Sequence, residues 1–461
     1  DHITIQTTSS ASATNSSSDQ GGYLYYTSGS SGKPKGVFSG HAPMMNRLCW
    51  MWRQFPYEPD EVCCQRVSHT FIDFVAEMFG PLSCGLPILV VPCAVRRNPV
   101  QLRDFIKIHR VNRITLVPTL ANLLIQSTAE SFTMEFADNI RIWILSGEVL
   151  PWGVVRGLAR LSPPSVQVLN FYGATEMAAD VTFHGWNPHD IHAQHNENSS
   201  SNRTTLRDHA EPSVFLRPIS RDETGRVGAL YIYGEALARG YWGRPDLTEK
   251  RFPRYAWDAK CARFRLCGDS PLVDHTPDSS TQPPTTMGQG IIDRAENSDT
   301  TPECRDGKVV RFFRTGDLAS YQASRWPLVY RGRLDQQVKI NGQRLDLAEV
   351  EACAVRARGV KSAAAVTFSG ASITSNDKRQ DDLRDSGSLF EECLIGVVIF
   401  PEVADVASVL AKCRSHLPSF AVPHVVMTAA DIPTLAGSGK VNRQEIRRMT
   451  RDEFRRCKGG D

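Results

Sequence analysis

The chain has 461 residues and carries 53 Lys and Arg against 50 Asp and Glu, a formal charge of +3. So mild a balance argues against a nucleic-acid or membrane-surface partner, and the longest apolar run, residues 85–95, is short and broken by Pro87 and Pro92, which argues against a bilayer span. The 12 cysteines are scattered, with only Cys63 and Cys64 adjacent and no Cys-x-x-Cys, a usage that disfavours a zinc site or disulfide framework and fits a reducing, cytoplasmic setting.

Residues 1–22 are rich in Ser and Thr and poor in large apolar side chains, so a disordered lead is expected there. Residues 25–37 read Tyr-Tyr-Thr-Ser-Gly-Ser-Ser-Gly-Lys-Pro-Lys-Gly-Val. Small hydroxyl side chains, glycines and two lysines make a cationic loop whose N–H groups can close around phosphate oxygens. It is not a Walker A loop: the residue five before Gly32 is Thr27, not Gly, and Lys33 is followed by Pro34, which disfavours helix at Lys33. Taken alone it could also be an ordinary Ser/Gly surface loop.

Further along, apolar runs recur at residues 23–26, 87–92, 113–118, 140–146 and 166–171. Several are continuous rather than alternating, with helix-length segments between them, which predicts an α/β fold with parallel strands covered on both faces. Residues 225–233 and 332–340 alternate, as half-buried antiparallel strands do. Residues 269–307 and 369–388 are crowded with small polar residues and Pro or charged residues, and read as solvated insertions. A domain boundary is expected near Asp335, giving a large domain over 23–334 and a small one over 335–461.

Five further stretches carry chemistry in order: Asn-Phe-Tyr-Gly-Ala-Thr-Glu at 170–176, Gly-Glu-Ala-Leu-Ala-Arg-Gly-Tyr-Trp at 234–242, Arg-Thr-Gly-Asp-Leu at 314–318, Gly-Arg-Leu-Asp-Gln-Gln-Val-Lys-Ile at 332–340 and Gly-Ser-Gly-Lys-Val-Asn-Arg at 437–443. With these the chain resembles the adenylate-forming superfamily, which includes nonribosomal peptide synthetase adenylation domains, acyl-CoA synthetases and luciferases. The resemblance runs from about residue 23 to 443. It implies a large N-terminal domain, a small mobile α+β C-terminal domain, and conversion of a carboxylate and ATP into an acyl adenylate before transfer to a thiol.

Each matched residue then has an implied role. Thr27, Ser28, Gly29, Ser30, Ser31 and Gly32 would hold the departing pyrophosphate, with Lys35 adding positive charge. Tyr172, beside Gly173, would stack on adenine, Thr175 would bond the α-phosphate, and Glu176 would bind Mg2+. Asp317 would accept from the ribose hydroxyls, with Arg333 on the same side. Lys440 would bridge the substrate carboxylate and the phosphate. Asp335 would be the hinge on which the small domain turns between adenylation and thioester formation. Singly, Glu176 or Asp317 could equally be a cap or a solvated turn.

Amino-acid-activating members usually place an Asp directly after a Phe, where this chain has Phe71-Ile72-Asp73. One helical step turns a side chain by roughly 100° and advances it about 1.5 Å, so Asp73 would meet an amine elsewhere. The resemblance implies a pocket lined by Ile72, Asp73, Ala76, Thr115, Ile144, Ser146, Phe171, Ala179 and Asp180, similar to β-alanine-activating domains. Alternatively Asp73 caps a helix and Asp180 faces solvent, leaving a pocket for a plain carboxylic acid.

The phosphate loop lies much nearer the start than in family members, so a front truncation is expected. One extra residue lies between Pro433 and Lys440, Asn341 replaces a commonly basic residue and Ala348 a frequent Gly. No Gly-Gly-x-Ser-like phosphopantetheine site follows Arg443. The acceptor thiol, on CoA or a carrier protein, is expected from elsewhere. A ligase making acyl-CoA from an unaminated acid, or a non-catalytic nucleotide-binding remnant, stays open.

Overall fold

A computed structural model describes residues 21–28, 34–129, 136–186, 205–208, 212–222, 225–258, 263–266, 309–321, 328–340, 342–369, 393–400, 405–434 and 441–458. The expected lead and both expected insertions fall outside these apart from residues 21, 22 and 369.

The chain opens on a hairpin of β1 (Gly21–Thr27) and β2 (Lys35–Gly40), antiparallel with Thr27 opposite Lys35. The short strand Gly240–Tyr241 completes this sheet on the far side of β2. This corrects the expectation of a parallel strand at residues 23–26. Tyr23, Tyr25 and their neighbours are half-buried or exposed along β1, as on a two-faced hairpin rather than a covered parallel strand.

Helix α1 (His41–Gln54) leads to β3 (Cys63–Gln65), α2 (Asp73–Leu82), β4 (Ile88–Val90), α3 (Pro99–His109), β5 (Arg113–Leu116), α4 (Pro118–Ala129), β6 (Ile142–Ser146), α5 (Trp152–Arg160) and β7 (Gln167–Ala174). These strands pair in parallel in the order β4-β3-β5-β6-β7, as expected from the continuous apolar runs. Helix α3 begins where Asn98 accepts from the Gln101 N–H at 3.1 Å with Pro99 next, and ends on Arg110 at φ 53°. The core on one face is filled by Leu102, Ile106, Ile114, Leu124, Trp143, Leu145 and Leu158, each at most 1% exposed. Burying each such side chain is worth about 1.5–3 kcal/mol, which makes this face the main anchor of the sheet.

Beyond β7 the pairing turns antiparallel through β8 (Ala179–Trp186), and the sheet runs on into the strands Thr205–Asp208, Leu328–Arg333, Val309–Tyr321, Gly225–Gly234 and Pro212–Asp222. Residues 332–340 do not form the single strand expected. Strand Leu328–Arg333 ends, residues 334–336 bend, and a new hairpin begins of Gln337–Ile340 against Gln343–Asp346. The break occurs because the Asp335 carboxylate turns back to accept from Arg333 Nε at 2.7 Å and from the Gln337 N–H at 3.3 Å. From Ile340 onward a separate core forms around Leu345, Val350, Ile395, Val397 and Val409, built on the sheet of Ser362–Ser369, Cys393–Phe400 and Val425–Thr428.

Candidate active site

Strand β7 ends at the carboxyl edge of the parallel sheet, where ligands gather in α/β folds. The 170–176 motif occupies the last residues of this strand and the 3-10 turn Thr175–Met177 after it. The return into β8 is very tight. Ala178 and Ala179 take φ of 52° and 80°, in the left-handed region, and a Cβ on Gly173 would lie 1.5 Å from the Ala179 carbonyl oxygen. Only glycine fits at 173. Each left-handed alanine costs roughly 1–2 kcal/mol, so the surrounding packing must hold this turn in place.

The turn sets Glu176 at the centre of a buried cluster. Its side chain is 0% exposed and accepts from Tyr241 OH at 2.8 Å, from Lys35 Nζ at 3.4 Å, and from Arg344 Nη1 at 3.0 Å on each oxygen. Burial alone would raise the affinity of this carboxyl for a proton, but Arg344 and Lys35 more than offset it and hold the group well below the usual carboxylate range. Lys35 is itself buried, with Nζ 4.8 Å from the Tyr241 ring centroid. Burial and the facing Arg344 draw its ammonium down to about 8, with Glu176 opposing.

Of the expected pyrophosphate loop, Thr27 ends β1 with a buried hydroxyl that has no hydrogen-bond partner among the described residues, and Ser28 donates to the Arg344 carbonyl at 2.8 Å. Gly29, Ser30, Ser31 and Gly32 lie outside the described residues. Thr175 accepts at its carbonyl from Tyr23 OH at 2.9 Å. Beside it, Tyr172 OH donates to Asp317 at 2.6 Å and Arg333 to the other Asp317 oxygen at 2.5 Å. Arg333 also donates to both oxygens of Asp335, which a second cation, Arg251, approaches at 3.3 Å.

The 337–346 hairpin lies directly over this cluster. At its tip the Gly342 N–H donates to Glu148 at 2.6 Å, and a Cβ there would sit 2.4 Å from Val117 Cγ1. Arg344 reaches Glu176 from the same hairpin. Neither Arg344 nor Tyr241 was assigned a role from the sequence, although Tyr241 sits inside a quoted motif. Lys440 lies outside the described residues; Thr434 and Val441, on either side of it in sequence, are bridged, and nearby in sequence Ile432 and Ile446 pack with Val366 and Val398.

A pocket of about 30 Å³ opens between α1, α2 and the strands β3, β5 and β6, room for about two or three waters. Asp73, Ala76, Thr115, Ile144 and Asp180 line it. Asp73 is the first residue of α2, whereas Ile72, one step earlier, packs against Val75 and Ala179 on the side of Tyr23 and Tyr25. Asp180 does not face solvent: it is 5% exposed, pairs with Arg47 at 2.8 Å and accepts from Ser146 Oγ at 3.2 Å. Phe171 lies behind, its ring centroid 5.0 Å from the Arg47 guanidinium. Burial pushes the Asp73 carboxyl up to about 7; the Asp180 charge adds to the rise and Arg47 opposes it. Arg47 went unnoticed in the sequence because nothing in its local pattern distinguishes it from any other helical arginine.

Among the described residues no group of three or more His, Cys, Asp or Glu could hold a metal ion. One buried carboxylate that now gathers cationic and O–H donors fits Mg2+, which takes one or two carboxylates and completes its shell with phosphate and water. No helix among the described residues is long and apolar enough to cross a membrane.

The sequence pattern of AMP-binding enzymes matches residues 4–242. Over 440 residues the chain is 28% identical to the beta-alanyl-bioamine nonribosomal peptide synthetase ebony of Drosophila melanogaster, covering 92% of this chain but 41% of that protein. It is also 28% identical to an L-proline–[L-prolyl-carrier protein] ligase of Streptomyces coelicolor, covering 92% of this chain and 65% of that one. Among solved structures, the Vibrio cholerae adenylation domain AlmE, in complex with glycyl-adenosine-5'-phosphate, aligns with a TM-score of 0.64 at 20% identity, over 93% of this chain and 66% of that one.

Proposed function

Since the chain belongs to the AMP-binding enzyme family, whose members are adenylate-forming ligases, we propose that it activates β-alanine as an acyl adenylate and passes it to a phosphopantetheine thiol. A carboxylate oxygen of the acid attacks the α-phosphorus of ATP, the bond to the β-phosphate breaks, and pyrophosphate leaves. The thiol then attacks the carbonyl carbon and AMP departs. Thr27, Ser28 and Lys35, with Gly29 to Gly32, would hold the leaving pyrophosphate. Thr175 would orient the α-phosphate, Tyr172 and Gly173 would flank the base, and Asp317 with Arg333 would hold the ribose. Glu176 would hold Mg2+, which neutralises charge on the phosphates. Lys440 would approach from the small domain, turning about Asp335.

The observation that carries the substrate is the juxtaposition of Asp73 and Asp180 in one small pocket. Two carboxylates against the single buried Arg47 leave a net negative charge facing a narrow space, which suits the ammonium end of a short zwitterion, and a helical step separates Asp73 from the position that would serve an α-amine. Similarity to the beta-alanyl-bioamine synthetase supports the same choice. ATP–pyrophosphate exchange tests it: β-alanine should stimulate exchange far more than alanine or a fatty acid, and stimulation by the fatty acid alone would overturn it. A second reading, a plain acid with CoA as acceptor, draws on the rise of the Asp73 carboxyl to about 7, since a neutral Asp73 needs no ammonium. A carrier protein is the expected thiol source in the first reading.

A further inference from the structure

Arg47 lies in α1, 8% exposed, beside the two pocket carboxylates. Its Nη2 reaches Asp180, while Nε and Nη1 are buried with no hydrogen-bond acceptor among the described residues. The guanidinium is held instead between ring faces, 5.1 Å from the Trp50 centroid and 5.0 Å from that of Phe171. The α1 and α2 walls are tied by Trp52 Nε1 donating to the Gly80 carbonyl at 3.0 Å, so Arg47 cannot easily be carried away from the pocket.

The other charged groups here hold ion pairs or hydrogen bonds. Arg113 is bound to Glu61 at 2.5 Å and to the Phe55 and Pro56 carbonyls. Glu77 accepts from the Arg66 and Val67 N–H groups and faces the Arg66 charge. Asp180 has Arg47. Glu77 and Asp73 both lack an ion pair among the described residues, but Glu77 keeps its two backbone N–H donors on one oxygen, whereas Asp73 has no hydrogen bond among the described residues and feels Arg47 and, more weakly, Lys339 only at longer range. Resting on the amine-binding reading above, we propose that Arg47 is a specificity-determining residue: by neutralising Asp180 it leaves Asp73 as the pocket carboxylate with neither an ion pair nor a hydrogen bond among the described residues, so the pocket admits acids bearing a single ammonium and rejects those bearing two or none.

The test is ATP–pyrophosphate exchange in the purified protein with β-alanine, 2,3-diaminopropionate and propionate. Arg47→Met should raise the diaminopropionate-to-β-alanine ratio of kcat/KM by at least about tenfold, mainly through KM, because a buried unmatched charge favours a counter-charge. Asp180→Asn, which leaves Arg47 unmatched, should shift preference by about tenfold towards propionate. The double variant Arg47→Met, Asp180→Asn should restore the single-ammonium preference, a rescue that a merely packing role for Arg47 would not give. Ratios that stay level in both single variants would overturn the inference while leaving the β-alanine reading intact. Absence of any β-alanine response in the unaltered protein would instead remove the reading beneath it. Should the Met variant fail to fold, the Asp180→Asn ratio still decides.

Discussion

Arg344 donates to both carboxylate oxygens of Glu176, at 3.0 Å each, from a hairpin that follows the Asp335 bend. If Glu176 holds Mg2+ as proposed, a divalent cation and a guanidinium in the same place would exclude one another, and docking of this hairpin would compete with loading of the metal. Arg344→Ala should strengthen apparent Mg2+ affinity in pyrophosphate exchange by about tenfold, the scale of one charge-assisted hydrogen bond. Without nucleotide the same variant should melt at a lower temperature, since a fully buried carboxylate loses a partner. Unchanged Mg2+ dependence would separate the contact from the metal site.

Gly342 fixes the tip of that hairpin. At φ 75° and with a Cβ position 2.4 Å from Val117 Cγ1, alanine would be both strained and obstructed. Gly342→Ala should lift the hairpin off Glu148, seen as faster amide hydrogen exchange over residues 337–346. Pyrophosphate exchange should persist while transfer to the thiol falls.

Asp73 gives a pH signature with a definite sign. Asp180 and Glu77 push its carboxyl in the same direction as burial, Arg47 and Lys339 oppose, and the group titrates near 7. An unfolded aspartate titrates near about 4, so between these values the folded state binds more protons and stability falls as pH rises. Asp73→Asn should therefore stabilise the protein at pH 8 and leave it unchanged at pH 4, measured by thermal melting. It should also abolish the β-alanine response while leaving ATP binding intact. In the unaltered protein KM for β-alanine should fall from pH 6 to pH 8, as the carboxylate forms.

Gly173→Ala would drive a methyl into the Ala179 carbonyl. The expected loss is at least about 3 kcal/mol in denaturant unfolding, together with loss of exchange. A tolerated alanine would mean that the turn after β7 can relax.

The parallel strands were legible because Val166, Val168, Ile142 and Leu145 sit in nearly continuous apolar runs with helix-length segments between them, as the strands of a doubly covered sheet do. The hairpin of Tyr23 and Tyr25 was not, since four apolar residues do not reveal which neighbour they pair with. Motif order brought Lys35, Tyr172, Glu176, Asp317 and Arg333 into one reading, and they lie in two adjoining clusters. Arg47 and Arg344 were invisible for another reason: each meets a carboxylate more than a hundred positions away, and no local spacing encodes such a meeting.

Glu176 and Asp180 stand at either end of one strained turn, Ala178 and Ala179 between them. On the proposed reading, the floor under the nucleotide and the inner wall of the acid pocket would be one short piece of chain, and a shift of one carboxylate would be passed to the other. New acids would have to be accommodated by changing α1, α2 and the ends of β5 and β6, whose side chains can vary while the shared floor stays as it is.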